Sequence, residues 1–227
     1  GSPEEVTQAI LRHPLVQRPG GVPIYSCMGY ILLGKILERI GGEPLDRLAQ
    51  SWVFDPLDLK HTTYRPTGDV APTEWDAETK ALLCGVVHDE NARFLNGVAG
   101  NAGVFSTMDD LALFAQMLAA DGALPDGARY LCPATVRLSM QNHTPGMAQG
   151  RGLSFYLPGY DNGYTGDLFP KETVGHTGFT GTSLTYDPAS GLYLVLLTNR
   201  ICPSRDSLAI YRVRRLLHNV VYAAACR

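Results

Sequence analysis

Apolar residues along this chain recur first at helical spacing and later at strand-like density. From Met28 to Ile40, Leu32, Leu33, Ile36, Leu37 and Ile40 share a helical period, and Gly41-Gly42 offers a left-handed cap, which predicts a helix over that span. Before it, Ser2-Pro3-Glu4-Glu5 reads as a capping box with proline in the first turn. The helix it opens turns Val6, Ala9 and Ile10 inward and stops at His13-Pro14. Pro44 opens a third helix with Leu45, Leu48, Ala49, Trp52 and Val53 on one stripe, closed by Pro56. Residues 61–100 mix proline, glycine and polar positions and predict only a short helix over 74–83. Val104-Phe105-Ser106 reads as a short strand. Thr107-Met108-Asp109-Asp110 then caps a helix bearing Leu111, Phe114, Ala115, Met117 and Leu118, which Gly122 ends.

The last third changes period. Leu153–Tyr156, Thr182–Tyr186 and Leu192–Thr198 read as strands, with Asp187-Pro188-Ala189-Ser190-Gly191 as the turn joining the last two. Leu192–Leu197 is apolar almost throughout, which predicts a central strand covered on both faces. A closing helix over 204–224 carries Leu208, Tyr211, Leu216, Val220 and Val221, expected to pack along the sheet. Helices, then antiparallel strands, then a helix imply an α+β fold. Residues 1–150 form a mostly helical lobe with cleft loops, residues 151–227 the sheet strands and last helix, and an active-site cleft is expected between them. With only three clear strands, part of the sheet is expected to come from sequence outside this chain.

Composition narrows the function classes. The 227 residues are 45% hydrophobic and 18% charged, an ordinary balance for a folded protein. A net charge of -3 supplies no field for phosphate backbones, so nucleic acid is not an expected partner. No apolar run reaches the length of a membrane span. The 5 cysteines form no CxxC pair, and His13, His61, His143 and His218 have no metal-ligand spacing; neither a disulfide framework, a metal nor a cofactor is expected. No signal peptide opens the sequence, so no compartment is assigned.

Candidate chemistry gathers in three segments. His176-Thr177-Gly178-Phe179-Thr180-Gly181-Thr182 puts an imidazole, hydroxyls and flexible backbone beside two apolar strands. Tyr25-Ser26-Cys27-Met28-Gly29-Tyr30 sits at the start of the Met28–Ile40 helix. Val87-His88-Asp89-Glu90-Asn91-Ala92 precedes a glycine-rich run from Gly97 through Asn101 to Thr107 that lacks the spacing of a phosphate-binding loop.

Together, in this order, these segments resemble the serine β-lactamase and penicillin-binding-protein superfamily, in particular the class C β-lactamase-related serine hydrolases. The resemblance implies a β-lactamase/transpeptidase-like fold and acyl transfer by serine, lysine and tyrosine on an ester, amide or peptide. It makes Tyr25 the phenol that exchanges a proton with the nucleophile. His176 becomes a proton-transfer or carboxylate-binding residue, and the Phe179 backbone N–H half of an oxyanion hole. Cys27, Thr177, Gly178, His88 and Asn101 become substrate-contacting positions, with Cys27 standing where the family segment has asparagine. His88 also suits a purely structural role in ordering its loop.

The nucleophile is missing. In this superfamily it lies in Ser-x-x-Lys, but Lys35, Lys60, Lys80 and Lys171 are preceded at the serine position by Leu32, Leu57, Ala77 and Leu168. The resemblance therefore implies a C-terminal portion of such a hydrolase, inactive by itself, that self-associates or pairs with the absent N-terminal segment. A binding module that keeps the cleft to hold a peptide or cell-wall fragment is the alternative. Cysteine hydrolysis by Cys27 with His176 is a third reading, although no cysteine-protease signature surrounds Cys27.

Overall fold

The computed structural model describes residues 2–160 and 164–226. Its backbone contacts divide into two compact units, Gly1–Pro72 with Leu83–Thr107 and Thr73–Leu82 with Met108–Arg227.

The first unit is helical. Helix α1 (Pro3–Arg12) starts on the expected capping box: the Ser2 hydroxyl accepts from Glu5 N, and the Glu5 carboxylate accepts from Ser2 N at 2.8 Å. Helix α2 (Cys27–Gly41) is capped by Ser26, whose hydroxyl accepts from Gly29 N at 3.1 Å, and ends on Gly42 at φ 73°. Helix α3 (Leu45–Ala49) runs into a π-helical turn over Gln50–Phe54. The short α4 (Glu90–Phe94), absent from the sequence pattern, is capped by the Asp89 carboxylate. Ile31, Val87, Ala92, Leu95 and Ala99 form the core, with Val6, Ile10 and Ala102 packed against it. Backbone meets backbone here: a Cβ on Gly100 would lie 2.1 Å from the Tyr30 carbonyl oxygen. Only glycine lets α2 and this loop close so tightly.

Most of the apolar stripe of α2 faces outward. Ile31 and Gly34 are its buried positions, whereas Leu33, Ile36, Leu37 and Ile40 are exposed. The glycine contact selects the face, because closest approach needs the side without bulky side chains. The strand expected at Val104–Ser106 contracts to a single bridge between Phe105 and Thr63.

The second unit is the α+β half. Residues 74–83 form a hairpin, β1 (Trp75–Asp76) with β2 (Ala81–Leu82), in place of the predicted short helix. Asp76 accepts from Glu78 N and Thr79 N, and this side-chain turn favours reversal over helix. Helices α5 (Met108–Ala119) and α6 (Pro133–Met140) follow. The sheet is antiparallel and five-stranded, with β3 (Gly150–Arg151), β4 (Tyr156–Leu157), β5 (Val174–Thr177), β6 (Ser183–Tyr186) and β7 (Tyr193–Leu196) in sequence order. The predicted turn closes β6 on β7, with Asp187 accepting from Ala189 N and Ser190 Oγ. Strand β7 is the sheet edge among the described residues, not the central strand its apolar run suggested.

Helix α7 (Ala209–Ala225) closes the chain and also inverts its expected face. Ile210, Arg214 and His218 are its buried positions, whereas Leu208, Tyr211, Leu216 and Val220 are exposed. Arg214 and His218 face inward because polar partners await them. The His218 ring lies 2.9 Å from the Thr185 hydroxyl, against the rings of Tyr164 and Phe169. Among the described residues, no helix is long and apolar enough to cross a membrane.

Candidate functional site

Strand β5 delivers His176 and Thr177 to the end of the sheet, paired in register with Leu184 and Ser183 of β6. Both are half-buried. His176 Nδ1 lies 3.0 Å from the Thr177 carbonyl oxygen and therefore carries the proton it donates there, leaving Nε2 as the basic nitrogen of the neutral ring. Burial lowers its pKa below the usual 6.5; the positive charge of Arg151 adds to this and the Thr177 hydrogen bond opposes it. An imidazole held neutral suits proton acceptance or hydrogen bonding near neutral pH.

The connection from β5 to β6 is bonded on every carbonyl. Gly178 O accepts from Gly181 N at 3.1 Å, and Thr182 O from Gly178 N at 2.8 Å. Arg214 Nη2 reaches the same two oxygens, at 3.2 Å and 2.7 Å. Phe179 O accepts from Arg200 Nε and Thr180 O from Arg200 N. Gly181 O accepts from the Thr198 hydroxyl. The exposed Phe179 ring sits under the Arg200 guanidinium at 4.4 Å, with Arg205, itself paired to Glu74, at 5.8 Å. Such stacking of cations on an aromatic face holds a surface ring in place.

The other candidates stand in the first unit. Tyr25 is 62% exposed, immediately before the Ser26 cap. Cys27, a half-buried free thiol, opens α2. Lys35, on the same helix, is paired to Glu38 at 2.7 Å, and Glu38 ties α2 to α3 by accepting from Leu45 N. His88 is buried, and its carbonyl accepts from Arg93 Nη2. Asn101 donates to the Asp89 carboxylate at 3.1 Å, while its own Oδ1 is buried without a hydrogen-bond partner among the described residues. His88, Asp89 and Asn101 thus join the α4 cap to the glycine-rich loop. Tyr25 and Cys27 belong to the α2 start, and His176 through Phe179 to the sheet of the second unit.

The Beta-lactamase family model matches residues 2–218. The chain belongs to the Beta-lactamase family. Within it, the chain is 32% identical to an Escherichia coli K12 protein provisionally named a D-alanyl-D-alanine carboxypeptidase, over 86% of this chain and 49% of that protein. A Salmonella paratyphi B protein with the same provisional name is 33% identical, over 85% and 49%. The chain thus spans about half the length of these curated relatives. Among solved structures, EstCE1, titled a hydrolase with promiscuous acyltransferase activity, superposes with TM-score 0.71 at 24% identity, covering 98% of this chain and 62% of that one. The octameric penicillin-binding protein homologue from Pyrococcus abyssi gives 0.66 at 20%, covering 95% and 48%. At these identities the structural likenesses establish the β-lactamase/transpeptidase-like α+β fold.

Sequence reasoning missed the residues that hold the β5–β6 connection: Arg200, Arg205 with Glu74, Thr198 and Arg214. The signal for Arg214 was present but read in reverse. Ile210, Arg214 and His218 recur every fourth residue, which marks one helical face. Two of the three are polar, so the face passed for solvated surface.

Proposed function

We propose that these residues form part of an acyl-transfer site of a serine hydrolase acting on ester, amide or peptide bonds, with peptides ending in D-alanine as the first substrates to try. The observation that carries it is the end of β5, where a neutral His176 and the Phe179 N–H stand on a connection with every carbonyl engaged. The substrate carbonyl would receive a hydrogen bond from Phe179 N–H as negative charge develops on its oxygen. His176 Nε2 would accept a proton or bind a polar substrate group, and Tyr25 would exchange the proton of the attacking alcohol. The names of the E. coli and Salmonella relatives support the peptide substrate. The 227 residues contain no Ser-x-x-Lys, so attacking serine and activating lysine would come from outside them. We propose the pairing surface for such a segment on the second unit, where β7 is the sheet edge among the described residues and the apolar side of α7 is exposed.

A fluorophosphonate or penicillin label tests the proposal. The purified 227-residue chain should stay unlabelled. A longer form that adds a Ser-x-x-Lys region should label, and Tyr25→Phe should slow that reaction by about 100-fold. Labelling of the 227 residues alone would sink the reading, and a clean monomer by size exclusion would count against the exposed pairing surface. The missing nucleophile and Cys27 at the asparagine position favour a second reading, a module that holds peptides without cleaving them. A longer form that binds a D-alanyl peptide but neither labels nor turns it over would select that module.

A further inference from the structure

Arg214 is 3% exposed, and among the described residues its guanidinium hydrogen bonds go to the carbonyls of Gly178 and Thr182. Its Nε is buried without a partner, and no carboxylate pairs with it among the described residues. Burying an uncompensated cation is costly. Anchoring α7 would not require one, because an apolar side chain of similar length packs there more cheaply. The carbonyls do not require it either, since Gly181 N and Gly178 N already bond to them.

The placement gains meaning from the covalent geometry of one peptide. The Gly178 carbonyl and the Phe179 N–H belong to the same planar trans unit, because the cis bond lies elsewhere, at Cys202-Pro203. In a trans peptide, C=O and N–H point in opposite directions. An oxygen fixed towards Arg214 on α7 therefore aims the N–H away from α7.

That plane needs holding. A Cβ at position 178 would lie 2.2 Å from the Thr182 hydroxyl, so any larger residue there would have to displace that side chain. Glycine is also the residue whose torsions rotate most freely, so the peptide that follows it flips more easily when the neutral Gly181 N–H alone holds its oxygen. A charge-assisted bond is the strongest tether available. It also draws electron density from the carbonyl and makes the N–H of the same amide a better donor.

We infer that Arg214 is a positioning residue for the Phe179 N–H: by gripping the Gly178 oxygen it fixes the direction and raises the donor strength of that amide. The inference rests on the proposed use of Phe179 N–H as an oxyanion donor. Arg200 supports it one peptide further on, holding the Phe179 oxygen at 2.8 Å.

Solution NMR on the 227-residue chain tests the grip directly. In Arg214→Met the fold should persist, because both carbonyls keep their backbone donors. The Phe179 amide resonance should move upfield in proton and nitrogen and broaden as the plane samples two orientations, while β7 resonances stay in place. In Arg214→Ala, added methylguanidinium should restore the original Phe179 position, and Arg214→Lys should restore it only in part. A Phe179 resonance that does not move in the folded Arg214→Met variant would overturn the inference. If that variant fails to fold, the unaltered chain still decides. Scalar coupling across the hydrogen bond from the Arg214 guanidinium nitrogen to the Gly178 carbonyl carbon should be present, and its absence would overturn the inference. Because these readouts follow a peptide plane and not acylation, their failure is separate from failure of the labelling experiment.

Discussion

The connection from Gly178 to Thr182 and the segment from Val22 to Met28 each carry a residue of the proposed site, and they are built in opposite ways. In the first, every carbonyl has a donor, two arginines and a threonine reach in from other elements, and the one exposed ring is stacked under a guanidinium. In the second, Val22, Ile24 and Tyr25 are substantially exposed, as is Met28 just inside α2, and the clearest anchor is the local Ser26 cap on that helix. The first region is organised by contacts distant in sequence. The lesson is that the Gly178–Thr182 connection is fixed by its own unit, whereas the Tyr25 side chain stands largely in solvent.

The sharpest way to break this contrast is to unseat the strand that carries the connection. A Cβ at Gly175 would lie 2.2 Å from both the Leu184 carbonyl oxygen and the Tyr164 hydroxyl, so Gly175→Ala should force β5 off β6 and cost about 3 kcal/mol in urea unfolding. Ser26→Ala removes the only side-chain cap of α2 and should cost about 1 kcal/mol by the same measurement. Acid should act on the second unit. Burial lowers the pKa of His218, its contact with Arg214's charge adds to this, and the hydrogen bond to the Arg214 carbonyl opposes it. The unfolded chain, with the ordinary value of 6.5, therefore takes up the proton first as pH falls. Stability from this group is complete above pH 6.5 and is lost as pH drops through the folded value, and His176, lowered by burial too, adds in the same direction. The urea midpoint should be lower at pH 5 than at pH 7.5, and His218→Gln should flatten that difference. The smallest effect belongs to Tyr25→Phe, expected to change stability by less than about 0.5 kcal/mol because the phenol is so exposed. A larger loss would show that the Tyr25 segment is more firmly built than the contrast allows.

Where an element is set by local chemistry, the sequence was legible. The Ser2 capping box, the glycine end of α2 and the Asp187–Gly191 turn all follow from residues adjacent to them. What could not be read was which face of a helix turns inward. In α2 the deciding factor is the close approach of Gly100 to the Tyr30 carbonyl, and in α7 it is the partners awaiting Arg214 and His218. Both depend on residues far away in the chain, and in both an apolar stripe pointed to the wrong side. The site divides in the same manner. His176, Thr177, Gly178 and Phe179 were visible as a motif, whereas the arginines that secure them come from positions 200 and 214 and carry no motif at all.

The outward apolar stripe of α7 also governs how the chain behaves in bulk. Leu208, Tyr211, Leu216 and Val220 present a greasy strip to water beside polar, well-ordered neighbours. Excluded salts such as sulfate should drive such molecules together while each still retains its fold. Glutamate at Leu216 or Val220 should keep concentrated samples clear and leave the inward-facing Arg214 and His218 undisturbed.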